Sequence, residues 1–166
     1  MNLQKAKQTE LPIIWTIIQY AIEQRKQDGS DQWQDGYPNK TTLQQDLDNG
    51  NAYVVMEDDT VLAYAAIIFD KEPAYENIKG KWLSHGNYAC VHRVAASKWA
   101  KGKSIGIKLF QIIEQLCRDK KIYSIKLDTN FDNQPMLKIL EKLQYTYCGE
   151  VYFRGGAREA FEKLLA

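Results

Sequence analysis

Gly102, Ser104 and Gly106 are interleaved with Lys101 and Lys103, directly before the apolar-periodic run Ile107-Lys-Leu-Phe-Gln-Ile-Ile-Glu-Gln-Leu-Cys117. Small residues at that spacing leave backbone N–H groups accessible. The first turn of a helix adds unpaired N–H groups and the positive end of its dipole, so the chemistry expected of Lys101 to Gly106 is phosphate binding. A basic surface turn that merely caps a helix is one alternative. A Walker A loop is another, because Gly102-Lys103-Ser104 matches its end. That motif also needs glycine five residues before Gly102, where Ser97 stands, and the residues after the loop are too few for the parallel core such proteins build.

The elements around this loop follow from periodicity. Tyr88–Ala96 reads as the strand that feeds it and Ser104–Lys120 as the helix it opens. Ile105, Leu109, Ile112, Ile113, Leu116 and Cys117 form one apolar stripe on that helix. Upstream, a weak strand is expected at Leu3–Thr9 and a helix at Leu11–Arg25, with Pro12 in its first turn. A second helix is expected over Thr41–Asp48, with the stop signal Asn49-Gly50. Ala52–Met56 and Val61–Phe69 flank the acidic turn Glu57-Asp-Asp59 as a hairpin. Asp70–Asn87 is a connection long enough to suggest function or mobility.

Downstream, Tyr123–Thr129 is a strand, Asn133–Leu143 a helix and Tyr145–Phe153 a strand that ends at Gly155-Gly156. Local propensity favours helix for Arg158–Leu165, whereas a mixed sheet would place a last strand there. The alternation of hairpins and βαβ-like crossings predicts a mixed α/β sheet covered by helices.

Lys101 to Gly106 resembles the pyrophosphate-binding arm of the GCN5-related N-acetyltransferase (GNAT) superfamily, whose pattern is Arg or Gln, two residues, Gly, one residue, then Gly or Ala. The spacing and final glycine are kept; Lys101 takes the first position and Ser104 replaces the middle glycine. Leu127-Asp-Thr-Asn-Phe-Asp-Asn133 is similar to the superfamily's segment before its next helix, and Leu143-Gln-Tyr145 to the Leu-Gly-Phe that closes it. The resemblance spans nearly the whole chain.

It implies an acyl-CoA N-acyltransferase-like, three-layer fold over residues 1–166, a single domain with a mostly antiparallel sheet of six to seven strands and about four helices. It also implies acetyl-CoA as co-substrate, with Lys101, Gly102, Lys103, Ser104, Ile105 and Gly106 on the pyrophosphate, Val94, Ala95 and Ala96 on the pantetheine, and Asn133 assisting. The expected activity is direct acetyl transfer to a primary amine. The tyrosine that many members use as general acid is here Leu140, so a non-catalytic acyl-CoA-binding domain is the alternative. A homodimer is expected at the family level only.

His92 is the one side chain on the relevant strand that ordinarily titrates near neutrality, which makes it the candidate base; a structural histidine is the competing reading. Trp33 and Tyr37, two exposed-looking aromatics in an acidic loop with Asp31 and Asp35, are candidates for holding a cationic small-molecule or peptide amine, or else simply pack. Lys plus Arg (22) against Asp plus Glu (21) leaves a net charge of +1 and no global case for nucleic acid or membrane partners. Met1-Asn-Leu-Gln-Lys5 lacks the apolar core of a leader peptide, so a cytoplasmic location is expected. The widely spaced Cys90, Cys117 and Cys148 read as buried reduced thiols, and with only His85 and His92 as partners no metal site is expected.

Overall fold

The computed structural model describes every residue except Gly155. Its elements in chain order are β1 (Asn2–Lys5), α1 (Leu11–Gln27), α2 (Lys40–Asp48), β2 (Ala52–Glu57), β3 (Thr60–Ile68), β4 (Lys79–Gly80), β5 (Ala89–Ala96), α3 (Ile105–Asp119), β6 (Ser124–Thr129), α4 (Gln134–Lys142), β7 (Thr146–Phe153) and β8 (Gly156–Leu164). The strands are ordered β1-β2-β3-β5-β6-β8-β7-β4. Ladders β1–β2, β2–β3, β6–β8, β7–β8 and β4–β7 are antiparallel, while β5–β6 is parallel. This is the mixed, mostly antiparallel sheet with four helices that the resemblance implies, with eight strands where six to seven were expected, the two-residue β4 being the one without a sequence signal.

The chain divides into two compact units, Met1–Ile67 with Arg93–Ile113, and Ile68–His92 with Glu114–Ala166. In the first, Ile14, Ile17, Ile18 and Ala21 line the inner face of α1 and pack with Leu43, Val54 and Tyr64. Helix α2 starts on Asn39, whose side chain accepts the Thr42 N–H at 3.0 Å while Thr42 Oγ1 accepts the Asn39 N–H at 3.3 Å. This reciprocal cap satisfies two otherwise orphaned donors.

In the second unit Tyr75, Trp82, Tyr88, Cys90, Cys148, Val151 and Ala160 form the core. The connection over residues 70–87 is structured: a 3-10 turn at Pro73–Asn77 and the two-residue β4 lie within it. Tyr75 and Trp82 hold it down, with ring centroids 5.1 Å apart and the Trp82 Nε1–H donating to the Tyr75 carbonyl at 2.9 Å. Buried Glu162 accepts the Leu83 N–H at 2.7 Å, the Ser124 hydroxyl at 2.7 Å and the Ser84 hydroxyl.

The tail is a strand, not the helix its local propensity favours, because β8 pairs with β6 on one side and β7 on the other. Two ladders outweigh a weak local preference. Of the expected Gly155-Gly156 stop, Gly156 opens β8 and Gly155 lies outside the described residues.

Candidate active site

Among the described residues, strand β5 pairs with its parallel partner at its start, through the register pairs Ala89↔Ile125 and Cys90↔Lys126. Arg93, three residues further, has φ 53°, a left-handed conformation that breaks the regular pleat of a strand. Val94, Ala95 and Ala96 follow, of which Ala95 is buried and the others half-buried. Backbone groups in a strand need partners, so a strand edge beyond the end of one ladder is where an extended ligand can pair with the chain.

The chain leaves β5 at Ser97, whose N–H donates to the Leu62 carbonyl at 2.8 Å and whose Oγ accepts the Trp99 N–H at 3.1 Å. A 3-10 turn, Lys98–Ala100, leads into the loop, and Lys101, Gly102, Lys103 and Ser104 are all exposed. Gly102 has φ 82° and Ser104 φ 52°. Glycine takes that conformation without steric cost, whereas Ser104 bears it with a side chain. The Lys108 N–H donates to the Ser104 carbonyl at 3.2 Å as α3 begins. The amides of Ile105, Gly106 and Ile107 precede that bond and have no carbonyl four residues back within the helix. Lys103 Nζ meets Glu57 Oε1 at 2.7 Å, and this hydrogen bond and charge hold the Glu57 carboxyl below its ordinary range. The loop is therefore open, cationic and lined by amides.

His92 lies on the same strand in a different environment. Its Nε2 is 3.0 Å from Cys90 Sγ and 3.4 Å from Glu72 Oε2, while Nδ1 is 3.8 Å from Asp128 Oδ2. Cys90 and His92 are two apart on β5 and so share a face. Burial alone would disfavour the imidazolium. The Cys90 sulfur, Glu72 and Asp128 together overcome it and lift His92 well above the usual histidine range. Tyr75 donates to Asp128 Oδ2 at 2.7 Å, and burial, followed by the charge of Asp128, pushes the Tyr75 phenol upward. Glu72, Asp128 and Cys90 were not among the sequence candidates. Cys90-x-His92 was the available signal, whereas Glu72 comes from a connection and Asp128 from β6.

Trp33 is not the exposed aromatic expected of that loop. It is only 6% accessible and packs in the core with α1, the Arg25 guanidinium lying 5.2 Å over its ring. A tryptophan among Ile14, Ile17 and Leu43 loses far more water-exposed surface than a polar loop could keep from it. Tyr37 is half-buried and accepts a hydrogen bond from Arg93 Nη1 at 2.6 Å. Arg93 also donates to Asp46 through Nε at 2.8 Å and Nη2 at 2.6 Å, and Tyr64 donates to Asp46 at 2.6 Å. This network was also absent from the sequence candidates, although a charged residue within an apolar strand is a recognisable sign of a buried partner. Asn133 caps α4, its Oδ1 accepting the Met136 N–H at 3.3 Å. Leu140 has no accessible surface.

The glycine-containing loop that opens α3 is the segment on which the resemblance rests. The Acetyltransferase (GNAT) family model matches residues 16–145. A GNAT-family acetyltransferase from Streptococcus agalactiae 2603 superposes with a TM-score of 0.90 at 36% identity, covering 99% of this chain and 95% of that one. More distant structures share the fold. The ribosomal-protein-alanine N-acetyltransferase of Brucella melitensis has a TM-score of 0.70 at 16% identity, covering 99% of this chain and 100% of that one. For yncA of Salmonella typhimurium, solved with its cofactor acetyl-CoA, the TM-score is 0.67 at 13% identity, with 100% and 94% covered. No curated protein matches the chain. Family match, fold and loop geometry agree, and the chain belongs to the GNAT acetyltransferase family.

Proposed function

We propose that residues 1–166 work as one acetyl-CoA-dependent N-acetyltransferase domain, acting on a primary amine of a small molecule or peptide by direct transfer in a ternary complex. The observation that carries this reading is the end of the β5–β6 ladder at Cys90, followed on the same strand by Val94–Ala96 and then by the amide-lined loop. Lys101 to Gly106 would hold the pyrophosphate through backbone N–H groups and lysine charge. Backbone groups of Val94, Ala95 and Ala96 would hold the pantetheine, and Asn133 would assist. The fit is supported by the loop itself: a Cβ at Gly102 would meet nothing within 4 Å, and Lys101 to Ser104 are exposed.

Acetyl-CoA supplies the activated thioester; the protein supplies position and proton handling. His92, paired with Glu72 and Asp128, is held as an imidazolium at rest, so it would take the proton from the acceptor nitrogen only after losing its own. Transfer should quicken as pH rises through the range where His92 deprotonates; coenzyme A leaves as its thiolate. Trp33 and Tyr37 were the sequence candidates for the acceptor side. With Trp33 in the core, Tyr37 is the one with surface to offer.

A second reading is favoured by one observation. Position 140, where many members keep an acidic phenol, is a fully buried leucine, which suits a domain that binds acyl-CoA without turnover. Thiol release from acetyl-CoA with a panel of primary amines, run beside calorimetric titration, separates the two. Amine-dependent release is expected; binding with no release across the panel supports the second reading. Gly106→Asp should weaken acetyl-CoA binding at least tenfold, about 1.4 kcal/mol, with an unchanged circular-dichroism spectrum. Unaltered binding would remove the loop from the cofactor site.

A further inference from the structure

We propose that Glu72, Cys90 and His92 form a binding site for a thiophilic divalent cation, zinc being the best fit. Their donor atoms, a carboxylate oxygen, Sγ and Nε2, all lie within 4.8 Å of one another. A tetrahedral zinc with bonds of about 2.0–2.3 Å holds its ligand atoms roughly 3.3–3.7 Å apart. The observed Sγ–Nε2 and Nε2–Oε2 separations of 3.0 and 3.4 Å need only small rotamer adjustments to reach that spacing.

Each donor is aimed from behind. Glu72 Oε1 accepts the Ala74 N–H at 3.3 Å, which turns Oε2 toward the imidazole. Asp128 Oδ2, held by the Tyr75 hydroxyl, stands 3.8 Å from Nδ1, so its charge favours the tautomer that leaves Nε2 free for a metal. Nε2 carries at most one hydrogen, yet both a sulfur and a carboxylate oxygen press against it. A single cation can accept an electron pair from all three atoms at once. A thiolate and a carboxylate also balance the charge of a divalent ion, and this mixture of sulfur, nitrogen and oxygen selects zinc or cobalt over magnesium or calcium. The His92 and Glu72 side chains are 13% and 20% exposed, while Cys90 is buried. An ion bound here would occupy the nitrogen that the transfer reaction uses and would therefore inhibit it; that consequence, unlike the site, rests on the proposed function.

The test uses the full chain, reduced and stripped by a chelator, titrated with cobalt(II) alone. One equivalent should produce a near-ultraviolet thiolate-to-cobalt charge-transfer band and visible bands with the intensity of four-coordinate cobalt, both lost on adding zinc. Cys90→Ser should abolish the charge-transfer band and Cys148→Ser should leave it. Asp128→Asn should keep the band but weaken zinc binding about 10–100-fold. X-ray absorption of the zinc-loaded wild-type chain covers the case in which Cys90→Ser misfolds; it should show one sulfur at about 2.3 Å with nitrogen or oxygen at about 2.0 Å. Weak six-coordinate cobalt bands only, a charge-transfer band that survives Cys90→Ser, or a zinc shell without sulfur would each overturn the site. Stoichiometric zinc should suppress amine-dependent thiol release, and unimpaired release from zinc-loaded protein would overturn the inhibition. The cobalt spectrum needs no acetyl-CoA, so a bound ion without turnover upholds the site and sinks only the transferase reading.

Discussion

At the scale of single residues, Arg93 and Asp46 carry the largest electrostatic commitment of the first unit. Both are nearly buried, with side chains 11% and 6% exposed, and the guanidinium is bidentate on the carboxylate. Burial works against the Arg93 charge, but the hydrogen bonds and charges of Asp46 and Tyr37 raise its pKa further. Asp46→Ala leaves that cation without a partner and also strands the Tyr64 hydroxyl. The expected loss is about 3–5 kcal/mol, read from urea denaturation midpoints. His92 is the residue on which proton handling depends in the proposed reaction. His92→Gln should lower kcat by roughly 10²–10⁴-fold while leaving the Kd for acetyl-CoA within about twofold, measured by thiol release and calorimetry. A comparable loss of cofactor affinity would make His92 a structural residue instead. The open loop Lys101–Gly106 and the helix after it were legible because their signal is local, small residues at fixed spacing ahead of an apolar-periodic run. Glu72 with His92, and Asp46 with Arg93, were not, because partners 20 and 47 residues apart have no shared pattern in the chain.

At the scale of elements, β4 and β7 meet glycine to glycine. A Cβ on Gly149 would stand 2.1 Å from the Lys79 carbonyl oxygen and 2.8 Å from Gly80 Cα, at a φ of +136° that a side chain rarely tolerates. Cys148, beside it, has no counterpart in the β7–β8 register, which passes from Tyr147↔Phe161 to Gly149↔Ala160. Gly149→Ala should therefore cost roughly 1–3 kcal/mol and detach β4. Hydrogen exchange would report this locally, since the Lys81 N–H that donates to the Cys148 carbonyl at 2.9 Å should lose protection first. Apart from β4 and β8, helix and strand positions were legible, with most ends within one or two residues. Apolar spacing of 3.6 or 2 survives in any chain whose elements bury one face. The two-residue β4 was hidden in a connection, because a strand that short has no periodicity to detect.

At the scale of the whole molecule, buried acids make alkaline pH the vulnerable side. Burial pushes the Cys117 thiol up to about 12, and burial likewise raises the Tyr64 and Tyr145 phenols, beside Asp46 and Glu114. Each keeps its proton in the folded chain at pH values where the unfolded chain has lost it. The folded state then binds more protons, so stability is fully present below about pH 9 and falls as pH rises from there toward 12. Denaturation midpoints between pH 7 and 11 should decline, and Cys117→Ala should decline less steeply over the same range. An identical slope in the variant would mean that the thiol is not held protonated.

No helix among the described residues is long and apolar enough to cross a membrane, and the net charge of +1 offers no broad field for a polyanion. Composition, periodicity and the Lys101–Gly106 spacing were sufficient by themselves for the fold class and for the family resemblance. Those properties are written into neighbouring residues. Only the tertiary structure could decide that Trp33 belongs to the core, that the tail through Leu164 is a strand, and that Glu72, Cys90 and His92 converge on one point. Each depends on which distant segments supply burial, ladders or charge, and local sequence does not encode those partners.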